Sequence, residues 1–162
     1  MSTTQTILRS YRAPGAVARE LRARGADEMM VLTWLVIACV LFFVARLPGL
    51  ARVAHFNGDD TPLFGLALGT FFGTIFLAPV VFFALAGLSH LVARIFGAAG
   101  SYLDARIALF WSLLAITPLV LLQGLVAGLI GQGPQLSLVS GIVFVGFLYI
   151  WIGGLMALEK RH

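Results

Sequence analysis

Charge is scarce in this chain. Only 11% of its 162 residues are Asp, Glu, Lys or Arg, whereas 60% are hydrophobic. Soluble domains carry about 25% charged residues, so a large water-facing globule is excluded and a membrane is implied. No charged side chain occurs between Asp60 and Arg94. Cysteine is almost absent too: Cys39 stands alone, which rules out an internal disulfide and leaves the redox compartment unread. No Gly-x-Ser-x-Gly elbow, phosphate-cradling glycine loop or His-Glu-x-x-His zinc helix is present, so those routes to catalysis are missing. The central parts of the apolar runs hold no Asp, Glu, Lys, Arg or His, and their polar content is Thr70, Thr74, Ser112, Thr117 and Gln123. Pumps and ion-coupled carriers keep ionisable groups at membrane depth, so transport through one copy is not expected.

What is present is four apolar stretches. The most conspicuous, about 62–89, places Gly65, Gly69 and Gly73 four residues apart on one helix face. Such a small-residue stripe lets helix backbones approach inside lipid, where no hydrophobic force draws them together. This helix is therefore expected to be the packing hub, with a kink or break at Pro79. The other spans are expected at about 29–45, closed by Arg46 and Pro48, at 107–130 around Pro118, and at 136–158. A loop is expected over 47–61, and Gly124 with Gly128 repeats the small spacing. Each span exceeds or approaches the roughly 20 residues a crossing needs. The fold class is all-α: a polytopic integral membrane protein with four transmembrane helices and an N-terminal amphipathic, basic segment.

That segment, residues 1–28, holds Arg9, Arg12, Arg19, Arg22 and Arg24. Pro14 suits the first turn of a helix and Gly25 its end, with Val17 and Leu21 on one face. A helix lying on the membrane surface and a solvated basic tail both fit. The net charge of +4 does not point to nucleic acid, because the basic residues flank apolar runs rather than form a patch. With four spans, five basic residues of the N-tail, Arg94, Arg106, Lys160 and Arg161 share one side, against Arg46 and Arg52 on the other. That imbalance places both termini in the cytoplasm, and the expected location is the cytoplasmic (inner) membrane.

The candidate sites are few. Ser89 beside His90 lacks an orienting carboxylate, and Ser89 is expected to bond a backbone carbonyl one turn back. His55, Asp59 and Asp60 resemble metal ligands in type, but the pattern reads better as a solvated loop ahead of a helix. His90, Arg94 and Arg106, with Asp104, form a candidate edge for lipid headgroups or a partner, or else serve as topology residues. No catalytic residue, cofactor or metal is expected.

The run Leu88–Gly97, the Gly100-Ser101-Tyr102 break, Ala105-Arg106 and the apolar span reaching Pro118 resemble the Yip-type domain, in its bacterial branch. That family comprises multispan membrane proteins named for Ypt/Rab-interacting proteins, and the resemblance covers about residues 30–156. It implies a helical membrane bundle with a cytoplasmic N-tail that associates with other membrane proteins through its helices. Eukaryotic members, tied to vesicle traffic and Rab GTPases, usually show five spans where four are read here. The resulting expectation is a non-enzymatic scaffold or accessory subunit. Its expected partners are membrane lipids and other integral membrane proteins or further copies of itself. A transporter or channel component and a lipid-handling protein are the rival readings.

Overall fold

The computed structural model describes residues 3–57 and 62–159, and every regular element in them is a helix. Helices α1 (Thr3–Ser10) and α2 (Pro14–Ala23) form a hairpin ahead of α3 (Glu28–Asn57). A second long helix is built from α4 (Leu63–Phe72), a π-helical turn (Gly73–Leu77) and α5 (Ala78–Ile95). Helices α6 (Tyr102–Leu129) and α7 (Pro134–Glu159) complete the bundle. The four long helices, Glu28–Asn57, Leu63–Ile95, Tyr102–Leu129 and Pro134–Glu159, are each long and apolar enough to cross a membrane.

Helix α3 starts where Asp27 Oδ1 accepts a hydrogen bond from the Met30 amide at 2.8 Å, a cap for an otherwise orphan donor. It does not stop at Pro48, and the loop expected from residue 47 is helical as far as Asn57. A proline inside a helix costs about 3 kcal/mol, so something must offset it. The offset is tertiary. Pro48 seats against Gly128 of α6, where a Cβ would lie 2.5 Å from the Pro48 Cβ.

Pro79 is handled differently. Its ring lacks an N–H and would crowd the carbonyl four residues back. The turn just before it widens, so that the Ala78 amide reaches the Gly73 carbonyl five residues away. The break expected at Pro79 is thus absorbed, and the helix runs on to Ile95. Pro118 in α6 needs only one side chain. Thr117 Oγ1 donates to the Leu114 carbonyl at 2.7 Å, the acceptor that the proline leaves unserved.

The hub is α6, not the glycine-striped second helix. All eleven residues from Ile107 to Thr117 are buried, because α3, α5, α7 and the N-terminal hairpin surround them. Trp111 meets Trp34 edge-on at 5.1 Å between ring centres, and Phe110 meets Phe83 at 4.9 Å. Of the most apolar window of the second helix only 6% is buried, against 56% for α6. A helix apolar all round can be buried all round, and spacing alone does not say which apolar helix takes the centre.

The N-terminal segment is docked on the bundle. Pro14 opens α2 and Gly25, at φ 82°, closes it in a conformation glycine adopts without strain. Val17 is fully buried and Ala18 nearly so. Small residues make this possible: a Cβ on Gly153 of α7 would lie 2.8 Å from Pro14, and one on Gly154 would lie 3.5 Å from Ala18. At the turn, Tyr11 donates to the Ala115 carbonyl at 2.7 Å and Trp111 Nε1 donates to Ser10 Oγ at 2.9 Å. Glu20 joins the two helices by pairing with Arg9 at 2.9 Å, and it also pairs with Arg24 one turn on at the end of its own helix. Desolvation raises the Glu20 carboxyl, but the Arg9 hydrogen bond and the charges of Arg24 and Arg9 outweigh it and hold it below its ordinary value. Tyr11→Phe removes one bridging hydrogen bond, worth about 1 kcal/mol. It should speed limited proteolysis of the hairpin severalfold while leaving the four long helices protected, and unchanged cleavage would contradict the docking.

Candidate functional site

The two glycine stripes lie in opposite environments. On α6, a Cβ at Gly124 would overlap the Ala45 backbone, 2.8 Å from its carbonyl carbon and 3.0 Å from its Cα. Gly128 meets Pro48 as described, and a Cβ at Gly49 would sit 3.4 Å from Ala127 on the return side. These residues form the α3–α6 crossing, and the missing side chains are what let it close. On the second helix, nothing lies within 4 Å of a Cβ at Gly69 or Gly73, and Gly65 has only the ring of Pro62 at 3.9 Å. Phe64, Leu68, Phe72 and Phe76 are exposed beside them, with the rings of Phe72 and Phe76 stacked at 5.5 Å. The stripe of the second helix packs on nothing described in this chain.

The polar residues gather at the other end of these helices. Ser101 and Asp104 form a reciprocal cap on α6, in which Ser101 Oγ accepts from the Asp104 amide at 3.2 Å and Asp104 Oδ2 accepts from the Ser101 amide at 2.7 Å. Arg22 Nε lies 2.8 Å from Asp104 Oδ1, which ties the N-terminal hairpin to the same cap. Arg106 clamps Glu28 at the start of α3 through two contacts of 2.6 Å and lies over the Phe83 ring at 5.3 Å.

His90 is drawn inside. Its Nδ1 shares a hydrogen bond of 2.9 Å with Glu159 Oε1, and the two residues are only 2% and 4% exposed. Tyr102 covers the imidazole at 4.3 Å between ring centres, and the Ala99 amide donates to the Glu159 carbonyl at 3.1 Å. The pair therefore fastens the end of α7 to α5 and to the turn before α6. The structure separates the three residues of the candidate edge: His90 is buried, Arg106 is engaged, and Arg94 remains exposed. His90 is closed to a headgroup by its burial against Glu159.

Ser89 Oγ donates to the Ala86 carbonyl at 2.8 Å, as its helical position implied, and does not point to the imidazole as a nucleophile would. Of the loop trio, His55 lies in α3, and Asp59 and Asp60 lie outside the described residues. Among the described residues no three His, Cys, Asp or Glu side chains cluster as metal ligands would. Sequence reasoning missed the His90–Glu159 pair, since 69 positions separate partners that read as ordinary span ends. It also missed Gly153 and Gly154, whose signal was a small-residue pair facing the short, weakly apolar helix α2.

Four long apolar helices, closely crossed and joined by short connections, define a multi-pass helical membrane protein. A family profile, the Yip1 domain, matches residues 8–160, so the match takes in the docked hairpin as well as the bundle. The chain belongs to the Yip1 domain family. Neither curated proteins nor solved structures give a match.

Proposed function

We propose that this Yip1-domain protein is a non-enzymatic scaffold or accessory subunit of a membrane-protein assembly. It would sit in the cytoplasmic membrane with both termini on the cytoplasmic side. One observation carries the reading: the Gly65–Gly69–Gly73 face of the second long helix is open along its length. In lipid, close backbone approach is a main source of helix association, and an open small-residue face supplies it at little entropic cost. The occupant is a transmembrane helix with its own small face, on another integral protein or on a second copy. The orientation is supported by the gathering of Arg22, Arg106, Asp104 and Glu28 at one end, with Arg46 and Arg52 toward the other.

Gly69→Ile tests the reading. A branched side chain there meets nothing in this chain, so insertion and thermal stability should match the unaltered protein. Crosslinking yield, or energy transfer between labelled copies and partners in bilayers, should fall about tenfold, equivalent to losing roughly 1.4 kcal/mol of association. Unchanged association would show that the stripe is not an interface with another chain.

A further inference from the structure

A half-open cavity of about 710 Å³ lies between α3, the π turn and α5, α6 and the start of α7. That volume falls within the roughly 300–1,000 Å³ of small-molecule sites. Its deep wall is apolar, formed by Phe42, Phe82 and Val120, and its outer wall carries Arg46, Arg52 and Gln132. The widened turn before Pro79 contributes Thr74 and Ala78 to the same wall. Widened turns of this kind recur at functional sites.

Depth along α3 fixes where the charges sit. Glu28, bound to Arg106, marks the charged end of the bundle. Arg46 follows 18 residues later (46 − 28), about 27 Å along the axis, and Arg52 follows 24 later (52 − 28), about 36 Å. With a hydrocarbon layer of about 30 Å, Arg46 lies at the far boundary and Arg52 just beyond it. The cavity thus has a cationic mouth at headgroup level and an apolar floor reaching into the acyl region.

Arg52 is held in place. It donates to the Gly128 and Leu129 carbonyls at 3.2 and 3.1 Å and lies over the Phe56 ring at 4.9 Å. Gly131, at φ 89°, leaves it room, since a Cβ there would come 2.5 Å from Arg52 Nε. Arg46 has no hydrogen bond or ion pair among the described residues, and none of the cavity's described lining residues is acidic. A guanidinium at the edge of a low-dielectric region calls for an anion, and its planar fork suits a phosphate.

We infer that this cavity binds an anionic phospholipid. Its phosphate would lie between Arg46 and Arg52 and one acyl chain along Phe42, Phe82 and Val120. The site is independent of the Gly65–Gly69–Gly73 face and uses none of its residues.

The test is titration of the purified full chain in uncharged detergent, read by native mass spectrometry and thermal unfolding. The probes are dioctanoyl phosphatidylglycerol, dioctanoyl phosphatidylcholine and inorganic phosphate. The phosphatidylglycerol should bind at least about tenfold more tightly than the phosphatidylcholine, and phosphate alone should give no shift. Arg46→Gln, at a side chain that bonds nothing described, should weaken phosphatidylglycerol binding about tenfold without changing ligand-free stability. Ala78→Phe, which fills the cavity and leaves both charges, should weaken it similarly. Either variant decides the matter if the other fails to fold. Equal binding of the two lipids, or phosphatidylglycerol binding unaffected in a folded variant, would overturn the site. A shift by phosphate as large as by phosphatidylglycerol would mark a simple anion site and overturn the lipid assignment.

Discussion

Gly124→Leu should abolish the stable bundle, whereas Gly69→Leu should leave it intact. Leucine favours a helix over glycine by about 1 kcal/mol, so propensity alone would make both changes stabilising. At Gly124 that gain is overwhelmed. The new Cβ would overlap the Ala45 backbone, and backbone cannot rotate aside as the end of a side chain can. The α3–α6 crossing would have to open, also unseating Pro48 from Gly128 and so exposing the proline of α3 to its full helical cost. A destabilisation of more than about 3 kcal/mol is expected. In detergent this should appear as loss of the monodisperse species and of the cooperative thermal transition. A Gly124→Leu protein melting within a few degrees of the unaltered one would refute the crossing.

The second large effect is expected at the buried pair. His90→Leu strands the Glu159 carboxyl group, whose Oε2 is already buried without a hydrogen-bond partner among the described residues. Removing one partner of a buried hydrogen-bonded pair costs about 1–3 kcal/mol, and more where the stranded group is charged, because that group keeps its desolvation without its partner. Replacing both members by apolar groups of similar volume is often neutral or stabilising. His90→Leu should therefore destabilise strongly, Glu159→Met likewise, and the double variant should recover most of the loss. Hydrogen exchange should report the same pattern at the Ala99 amide, which donates to the Glu159 carbonyl. Additive losses in the double variant would mean that the two side chains do not act as a unit.

Much of this architecture was written in local signals. Four apolar runs gave four long helices, and Pro14 with Gly25 framed α2 to within two residues. The spacing of Gly124 and Gly128 reads as a second stripe for lateral association, and the structure instead places both glycines at the α3–α6 crossing within the chain. What was illegible depended on partners distant in sequence. Pro48 reads as a stop until Gly128 is seen beneath its ring. The hub lies elsewhere than the glycine stripe points, because such a stripe reports that a helix can be approached closely, not that its own chain does so. Helix α6 has no such signature over Ile107–Thr117, a mostly apolar run broken only by Ser112 and Thr117, so its centrality emerges from the elements around it. The N-terminal helices showed a thin apolar face, and their docking relies on Gly15, Ala18, Gly153 and Gly154, which carry little hydropathy. The cavity draws on four helices at once, and no single segment announces it.

The most direct test of the open glycine face is disulfide crosslinking in native membranes. Cys39→Ala provides a cysteine-free background, to which Leu68→Cys adds a thiol beside the stripe and Phe144→Cys adds one on the exposed surface of α7. Oxidation should give a discrete crosslinked species from Leu68→Cys that disappears when Gly69→Ile is added, and none from Phe144→Cys. Equal crosslinking at both positions, or persistence of the Leu68→Cys product with Gly69→Ile, would contradict a partner helix seated on Gly65, Gly69 and Gly73.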